Sequence, residues 1–192
     1  MEKPEVSVVV ISVGRQPLYD LVPAILEQET EFGFEVLVIA NGPVSEERLP
    51  SRGVRVHHEE SGLGIPYYRN VGTRLAEGSI IVYIDDDEVP RDSGWLARLV
   101  EPILKGREKV TVAGAFIPQG QGFLADLISL LGYPGGASLG WRNVWEVDCN
   151  GYTDKLCTCN CALDKATLEA VGGLNESLVL GASDLFLGEA LM

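Results

Sequence analysis

Three consecutive carboxylates, Asp85-Asp86-Asp87, follow directly on the apolar run Ile80-Ile81-Val82-Tyr83-Ile84. Adjacent acidic side chains repel one another and resist burial, so a strand tolerates them only at its open end, where a cation or a set of donors offsets their charge. In an open α/β sheet the carboxyl ends of the strands are where ligands bind. Carboxylates so placed suit a hard divalent cation, Mn²⁺ or Mg²⁺, which prefers oxygen ligands and commonly shares them with a phosphate. The plainer alternative is a solvated acidic turn.

The other groups able to do chemistry give weaker signals. Cys157, Cys159 and Cys161 alternate with Thr158 and Asn160, which in a strand puts the three thiols on one face. Zinc sites pair cysteines at wider spacing and here have only Cys149 to complete a set, so small buried thiols are the expectation. His57-His58 opens a loop and has no acidic or Cys ligand spaced to join it. The chain has 28 acidic against 15 basic side chains, a net charge of -13. That balance argues against a nucleic-acid partner, and it obliges an anionic ligand to bring a metal or find a local basic cluster.

These residues need a scaffold, and the 192 residues suffice for one α/β domain. Val6 to Ile11 reads as a strand covered on both faces, the mark of a parallel sheet. A helix follows Pro17, which suits its first turn, and Pro23 should kink or shorten it. Strands are expected at Glu35 to Ala40, Val54 to His57 and Ile80 to Ile84, with a helix from Ile65 closed by Gly78. A helix around Trp95 to Leu104 and a strand over Val110 to Ile117 come next. The stretch from Pro118 to Val144, with Pro134-Gly135-Gly136, breaks the pattern and reads as a functional loop or lid. Val144 to Cys149 is a further strand, and Asp164 is the N-cap of a helix ended by Gly172-Gly173. Strands alternating with crossover helices give an α/β class with a mostly parallel sheet between helices. The start is neither a signal peptide nor an anchor, so the cytoplasm is the expected location. The segment Phe123 to Leu131 is either ordinary core or a short amphipathic helix on a membrane surface.

Taken in order, several segments resemble the family 2 glycosyltransferases of the GT-A, Rossmann-like fold. They are Val8 to Arg15, Glu35 to Gly42, Gly62 to Gly64 with Arg69-Asn70-Val71-Gly72, the acidic triplet with Glu88-Val89-Pro90, and Cys159 to Glu176. The resemblance covers the whole chain as one domain, with a nucleotide-binding part of about residues 1–90 and an acceptor part of about 91–192. It implies an inverting, cation-dependent transfer of a sugar from a nucleoside diphosphate to a hydroxyl of a glycan, lipid or other acceptor.

By the same resemblance Asp85 and Asp87 bind the metal, Asp87 chiefly. Asp85 also lies near the ribose, Asp86 supports the site, and Ser12, Val13, Arg15, Asn41 and Arg69 contact the sugar nucleotide. Where the family has an acidic residue that reads uracil, this chain has Ala40 and Asn41, so uridine is only weakly favoured over guanosine or thymidine. Asp184 takes the place of the catalytic base, with Ser183 departing from the family's Glu; in the alternative register Ala182-Ser183 aligns and no base remains. Trp141 and Trp145 are either acceptor platforms or loop anchors. Relatives continue beyond the position of Met192, so a C-terminally truncated chain is one expectation. The competing readings are a nucleotidyltransferase of related fold and a non-catalytic sugar-nucleotide-binding domain.

Overall fold

The structure is a computed structural model that describes residues 3–112, 123, 127, 148–153, 156–178 and 183–191. The chain divides into two compact units, Met1–Val112 with Cys157–Met192, and Ala113–Leu156. Of the second unit, the described part is chiefly a tight turn in which Asp148 Oδ1 accepts the N–H groups of Asn150 and Tyr152 at 2.8 and 2.9 Å. Trp141, Trp145, nearly all of the Gly-rich stretch and of Phe123 to Leu131, and residues 144–147 of the strand expected at Val144 to Cys149 lie outside the described residues, while Asp148 and Cys149 belong to the turn and not to a strand.

The first unit is built in the order β1 Val6–Ser12, α1 Gln16–Leu26, β2 Phe34–Ala40, a short 3-10 turn Glu46–Arg48, β3 Val54–His58, α2 Ile65–Leu75 and β4 Ile80–Asp85. It continues with α3 Trp95–Leu104, β5 Val110–Val112, β6 Asn160–Asp164, α4 Lys165–Ala170 and α5 Ser183–Leu191. The six strands form one sheet in the order β3-β2-β1-β4-β6-β5. The β3-β2, β2-β1 and β1-β4 pairings are parallel, and β6 runs antiparallel to both β4 and β5. The expected α/β class with a mostly parallel sheet flanked by helices is what is found.

The physical reasons are local. β1 and β4 are buried almost throughout, as their unbroken runs of β-branched and aromatic side chains require when helices cover both faces. Pro17 stands at the start of α1, where its missing N–H costs nothing. The helix runs past Pro23 by a few residues before it ends. Asp164 caps α4 by accepting the Thr167 N–H at 2.9 Å, as its sequence position implies.

One expectation is corrected. Cys157, Cys159 and Cys161 do not line one strand face, because the Asn160 N–H already turns back to the Cys157 carbonyl at 3.3 Å and the Cys159 carbonyl accepts from the Asp85 N–H at 3.0 Å. The strand therefore starts at Asn160, and Cys161 alone of the three lies in it, fully buried. Burial pushes the Cys161 thiol well above its usual range. The thiols of Cys157 and Cys159 instead meet each other, Sγ to Sγ, at 2.7 Å.

Helix α2 approaches the sheet closely at Gly72, where a β-carbon would collide with Cγ1 of Val9 and come within 3.3 Å of Cγ1 of Ile39. Gly72→Ala gains up to ~1 kcal/mol of helix propensity but forces α2 away from the sheet, an overpacking cost of about 1–3 kcal/mol. A net fall in the urea midpoint is expected, and a midpoint at or above that of the parent would show that α2 can shift freely.

Candidate active site

The sheet order places β1 between β2 and β4, so the chain leaves β1 on one side and later returns on the other. The carboxyl ends of β1 and β4 flank this change of direction, where open α/β sheets bind ligands. In the parallel pairing Ile11 stands opposite Asp85, which brings Ser12 beside Asp86. Ser12 donates its hydroxyl to Asp86 Oδ2 at 2.5 Å, and Arg15 donates from Nη2 to Asp86 Oδ1 at 2.9 Å. Both oxygens of the buried Asp86 thus tie the loop after β1 to the end of β4. Gly14 donates its N–H to the Ser12 hydroxyl at 3.0 Å, and the Val13 side chain beside it is exposed.

The other carboxylates of the triplet face differently. Asp85 is partly open, and its Oδ1 accepts from Arg69 Nη2 at 2.7 Å. Desolvation at the strand end pushes Asp85 above the ordinary carboxylate range; Arg69 pulls it down, while Asp87 and Asp184 push it up. Asp87 is exposed. Glu88 accepts from Asn160 Nδ2 at 3.0 Å, and desolvation, with a smaller push from Asp85, raises it from its ordinary 4.5 to about 8 against hydrogen bonds from Cys159 and Asn160.

Helix α2 supplies the residues that join this end of the sheet to the C-terminal part of the chain. Arg69, only 5% exposed, donates from Nη2 to Asp85 and from Nη1 to the hydroxyl of Thr158. Thr158 in turn donates its hydroxyl to Asp184 Oδ1 at 2.5 Å and its N–H to Asp184 Oδ2 at 3.3 Å. Asp184 lies in the first turn of α5, where the helix dipole favours a negative charge. The structure therefore brings Asp85, Arg69 and Asp184 into one continuous chain of contacts.

The neighbouring Asn70 has a structural task. Its amide donates to the Leu174 carbonyl and to Glu176 Oε1, both at 2.8 Å, and its carbonyl accepts the Leu174 N–H at 2.9 Å. It so fixes the turn at Gly172-Gly173. Gly173 has φ +74° and leaves no room for a β-carbon against Asn70 Oδ1, so both demands select glycine. At the end of β2, Asn41 accepts the hydroxyl of the buried Tyr68 at 2.7 Å, and Ser61 donates to that hydroxyl at 3.3 Å. His57 and His58 each meet a separate glutamate, Glu59 at 3.6 Å and Glu46 at 2.9 Å.

The profile of the glycosyl transferase family 2 matches residues 7–162. The chain belongs to that family. No curated protein sequence matches it. Among solved structures, TarS of S. aureus (residues 1–349) is similar at a TM-score of 0.69 with 18% identity, over 97% of this chain and 55% of that one. The mannosyltransferase PcManGT of Pyrobaculum calidifontis, in complex with GDP-Man and Mn²⁺, is similar at 0.65 with 19% identity, over 100% of this chain and 52% of that one. GalNAc-T7 with UDP, GalNAc and Mn²⁺ is similar at 0.67 with 17% identity, over 99% and 41%. The likeness shows the GT-A fold, and the chain spans about half the length of these proteins or less.

In this family 2 chain the structure brings Ser12, Arg15, Arg69 and the triplet, all named from the sequence, to one crevice; Glu88 was named only within the acidic segment, and Thr158 and Tyr68 were given no part in a site. Glu88 had a signal, since it extends the acidic run. Thr158 had none, lying 89 residues from Arg69. Among the described residues no group of three or more His, Cys, Asp or Glu is arranged to hold a metal ion, and no helix is long and apolar enough to cross a membrane.

Glu88 carries a pH dependence of fixed sign. A carboxyl held above its ordinary value stays protonated in the folded chain, so its contribution is full below about 4.5 and is lost as pH rises through about 8. In cation-free buffer the parent should lose urea resistance between pH 5 and 8 more steeply than Glu88→Gln, which stays neutral throughout. Parallel slopes for the two proteins would show that Glu88 is solvated and ordinary.

Proposed function

We propose that this chain is an inverting glycosyltransferase that moves a sugar from a nucleoside diphosphate to an acceptor hydroxyl, with a divalent cation at Asp85 and Asp87 and Asp184 as the base. The observation that supports it most is the Asp85–Arg69–Thr158–Asp184 chain of contacts. It links the donor end of the sheet to a carboxylate one-third exposed on α5. The donor binds in the part before about residue 90 and the acceptor is met by the part after it, Trp141 and Trp145 being candidates for that contact.

The residues present fit a cation of this kind. Asp85 is raised by desolvation and by its acidic neighbours, and Asp87 is exposed, so both gain from a positive charge between them. Magnesium and manganese commonly take one or two carboxylates and complete their shell with substrate phosphates and water, so a cage of three protein ligands is not needed. A cation held by Asp85 and Asp87 would supply Lewis-acid neutralisation of the leaving diphosphate. Asp86, saturated by Ser12 and Arg15, holds the crevice open instead of binding metal. Arg69 faces the donor end through Asp85, and Arg15, 61% exposed at its side chain, is within the crevice to meet a phosphate. Because Tyr68 donates to the Asn41 carbonyl, the Asn41 amide N–H₂ points the other way and suits a base carbonyl such as that of uracil. TarS with UDP-GlcNAc and PcManGT with GDP-Man and Mn²⁺ share this fold, and a sugar nucleotide with manganese or magnesium is the corresponding donor here.

Nucleotide binding should require the cation. Titration calorimetry with UDP and GDP in Mn²⁺ should show binding that EDTA abolishes and that Asp87→Ala weakens without loss of thermal stability; equal affinity in EDTA and Mn²⁺ contradicts the metal assignment.

Asp184→Asn keeps the size of the side chain but removes proton acceptance from the attacking hydroxyl. Release of nucleoside diphosphate from a panel of sugar nucleotides should fall on the order of 10²- to 10⁴-fold, with donor affinity nearly unchanged. A variant that turns over like the parent removes Asp184 as the base.

A further inference from the structure

Thr158 lies where no sequence motif marks a function, yet its hydroxyl and N–H are both engaged at the site. It is fully buried and makes two contacts to one carboxylate, Oγ1 to Asp184 Oδ1 at 2.5 Å and N–H to Oδ2 at 3.3 Å. Its hydroxyl also touches Nη1 of Arg69. A guanidinium can only donate, and a threonine hydroxyl has one proton and two lone pairs. The hydroxyl must therefore accept from Arg69, and its single proton is directed to Asp184. The polarity of the relay Arg69 to Thr158 to Asp184 follows from the donor inventory alone.

This arrangement has a chemical consequence. Arg69 Nη1 stands 3.9 Å from Asp184 Oδ1, beyond direct hydrogen bonding. A direct guanidinium–carboxylate bond would stabilise the anion strongly and make a poor base. A neutral hydroxyl placed between them fixes the carboxylate with a weaker donor, while its N–H partner fixes the second oxygen and so the plane. The other arm of Arg69 reaches Asp85 at 2.7 Å, so the orientation of Asp184 is referred to the donor end of the sheet.

We infer that Thr158 is a positioning residue for Asp184, setting the plane of that carboxylate through a hydroxyl held between it and Arg69. The inference rests on the reading of Asp184 as the base. A hydroxyl that merely satisfies a buried Arg69 is the alternative, and the two differ in what removal of the hydroxyl changes. For a positioning residue the loss falls on turnover; for a structural partner of Arg69 it falls on folding or on donor binding.

The test uses the full chain with UDP-N-acetylglucosamine and GDP-mannose in Mn²⁺, reading release of UDP or GDP with water as acceptor. Thr158→Val, which keeps the shape and removes the hydroxyl, should lower kcat about 10- to 100-fold, with Thr158→Ser within about twofold of the parent. Calorimetric affinity for UDP and GDP should be unchanged in both. In the Asp184→Asn background Thr158→Val should cost nothing further, since coupled residues are not additive. Independently of turnover, the ¹³C resonance of the Asp184 carboxyl at pH 7 should move in Thr158→Val and stay in Thr158→Ser. Parent-like kcat in Thr158→Val, a loss confined to donor affinity, a full-size loss in the Asp184→Asn background, or an unmoved carboxyl resonance each overturns the inference. Failure of the base assignment looks different, since Asp184→Asn itself would then turn over at the parent rate.

Discussion

A single buried guanidinium, that of Arg69, holds together a site rich in carboxylates. Removing a charge of that size from water costs several kcal/mol, so Arg69 is stable in its place only because Asp85, Thr158 and the nearby Asp184 surround it. It also stands over the ring of Tyr83, 5.7 Å from the centroid, on the strand that carries the acidic triplet. Lysine could not replace it: a point charge lacks the planar fork that meets Asp85 with one nitrogen and Thr158 with the other. Through that fork α2, the end of β4 and the turn before β6 are placed relative to one another. Everything the site does depends on that triangulation.

The same electrostatics leave the crevice acidic on balance. Asp85, Asp86, Asp87 and Asp184 gather at one end of the sheet with Arg15 and Arg69 as their cationic partners. Arg15 is shared with Asp86, Arg69 with Asp85, and Glu88 relieves its own charge by holding a proton toward about 8. What is left is the exposed Asp87 and the partly open side of Asp85, within a chain of net charge -13. An anionic diphosphate meets repulsion there unless positive charge arrives with it, and a bound cation would reverse the local field and draw Asp85 down. The desolvation that raises Asp85 and the proposed affinity for a cation would be two expressions of the same buried strand end.

Much of this was legible in the sequence, for reasons that also mark where legibility ends. The continuous apolar runs of β1 and β4 announce strands covered on both faces, and the triplet after Ile84 announces an open strand end, because burial and charge exclude other arrangements. The direction of β6 was not legible: Asn160 to Asp164 carries the same apolar content whether it pairs parallel or antiparallel with β4. The thiol spacing misled, because the period of two says which residues share a face only if the strand exists, and the turn at Cys157 to Asn160 competes for the same backbone groups. Thr158 was invisible because its role is defined by Arg69 and Asp184, and pairing across such separations leaves no local pattern. The Trp141 and Trp145 positions fall outside the described residues.

Two segments that read as a functional signature are, on inspection of their contacts, partly scaffolding. Asn70 and Gly173 fit each other, amide against turn, and Gly72 lets α2 lie on Val9 and Ile39. Only Arg69 of that motif faces the acidic strand end. Since Arg69 and Asn70 are adjacent on one helix, the Asn70 clamp on the turn at Leu174 fixes the rotation and height of α2, and with them the aim of the guanidinium. The turn then leads toward α5, whose Leu187 is buried and whose Asp184 closes the circuit back to Arg69 through Thr158. The donor end and the proposed base are thereby joined twice, once through side chains at the site and once through the turn that Asn70 holds. A substitution at either link acts on the angle between Asp85 and Asp184 before it acts on any ligand, which is why scaffold and chemistry share one motif.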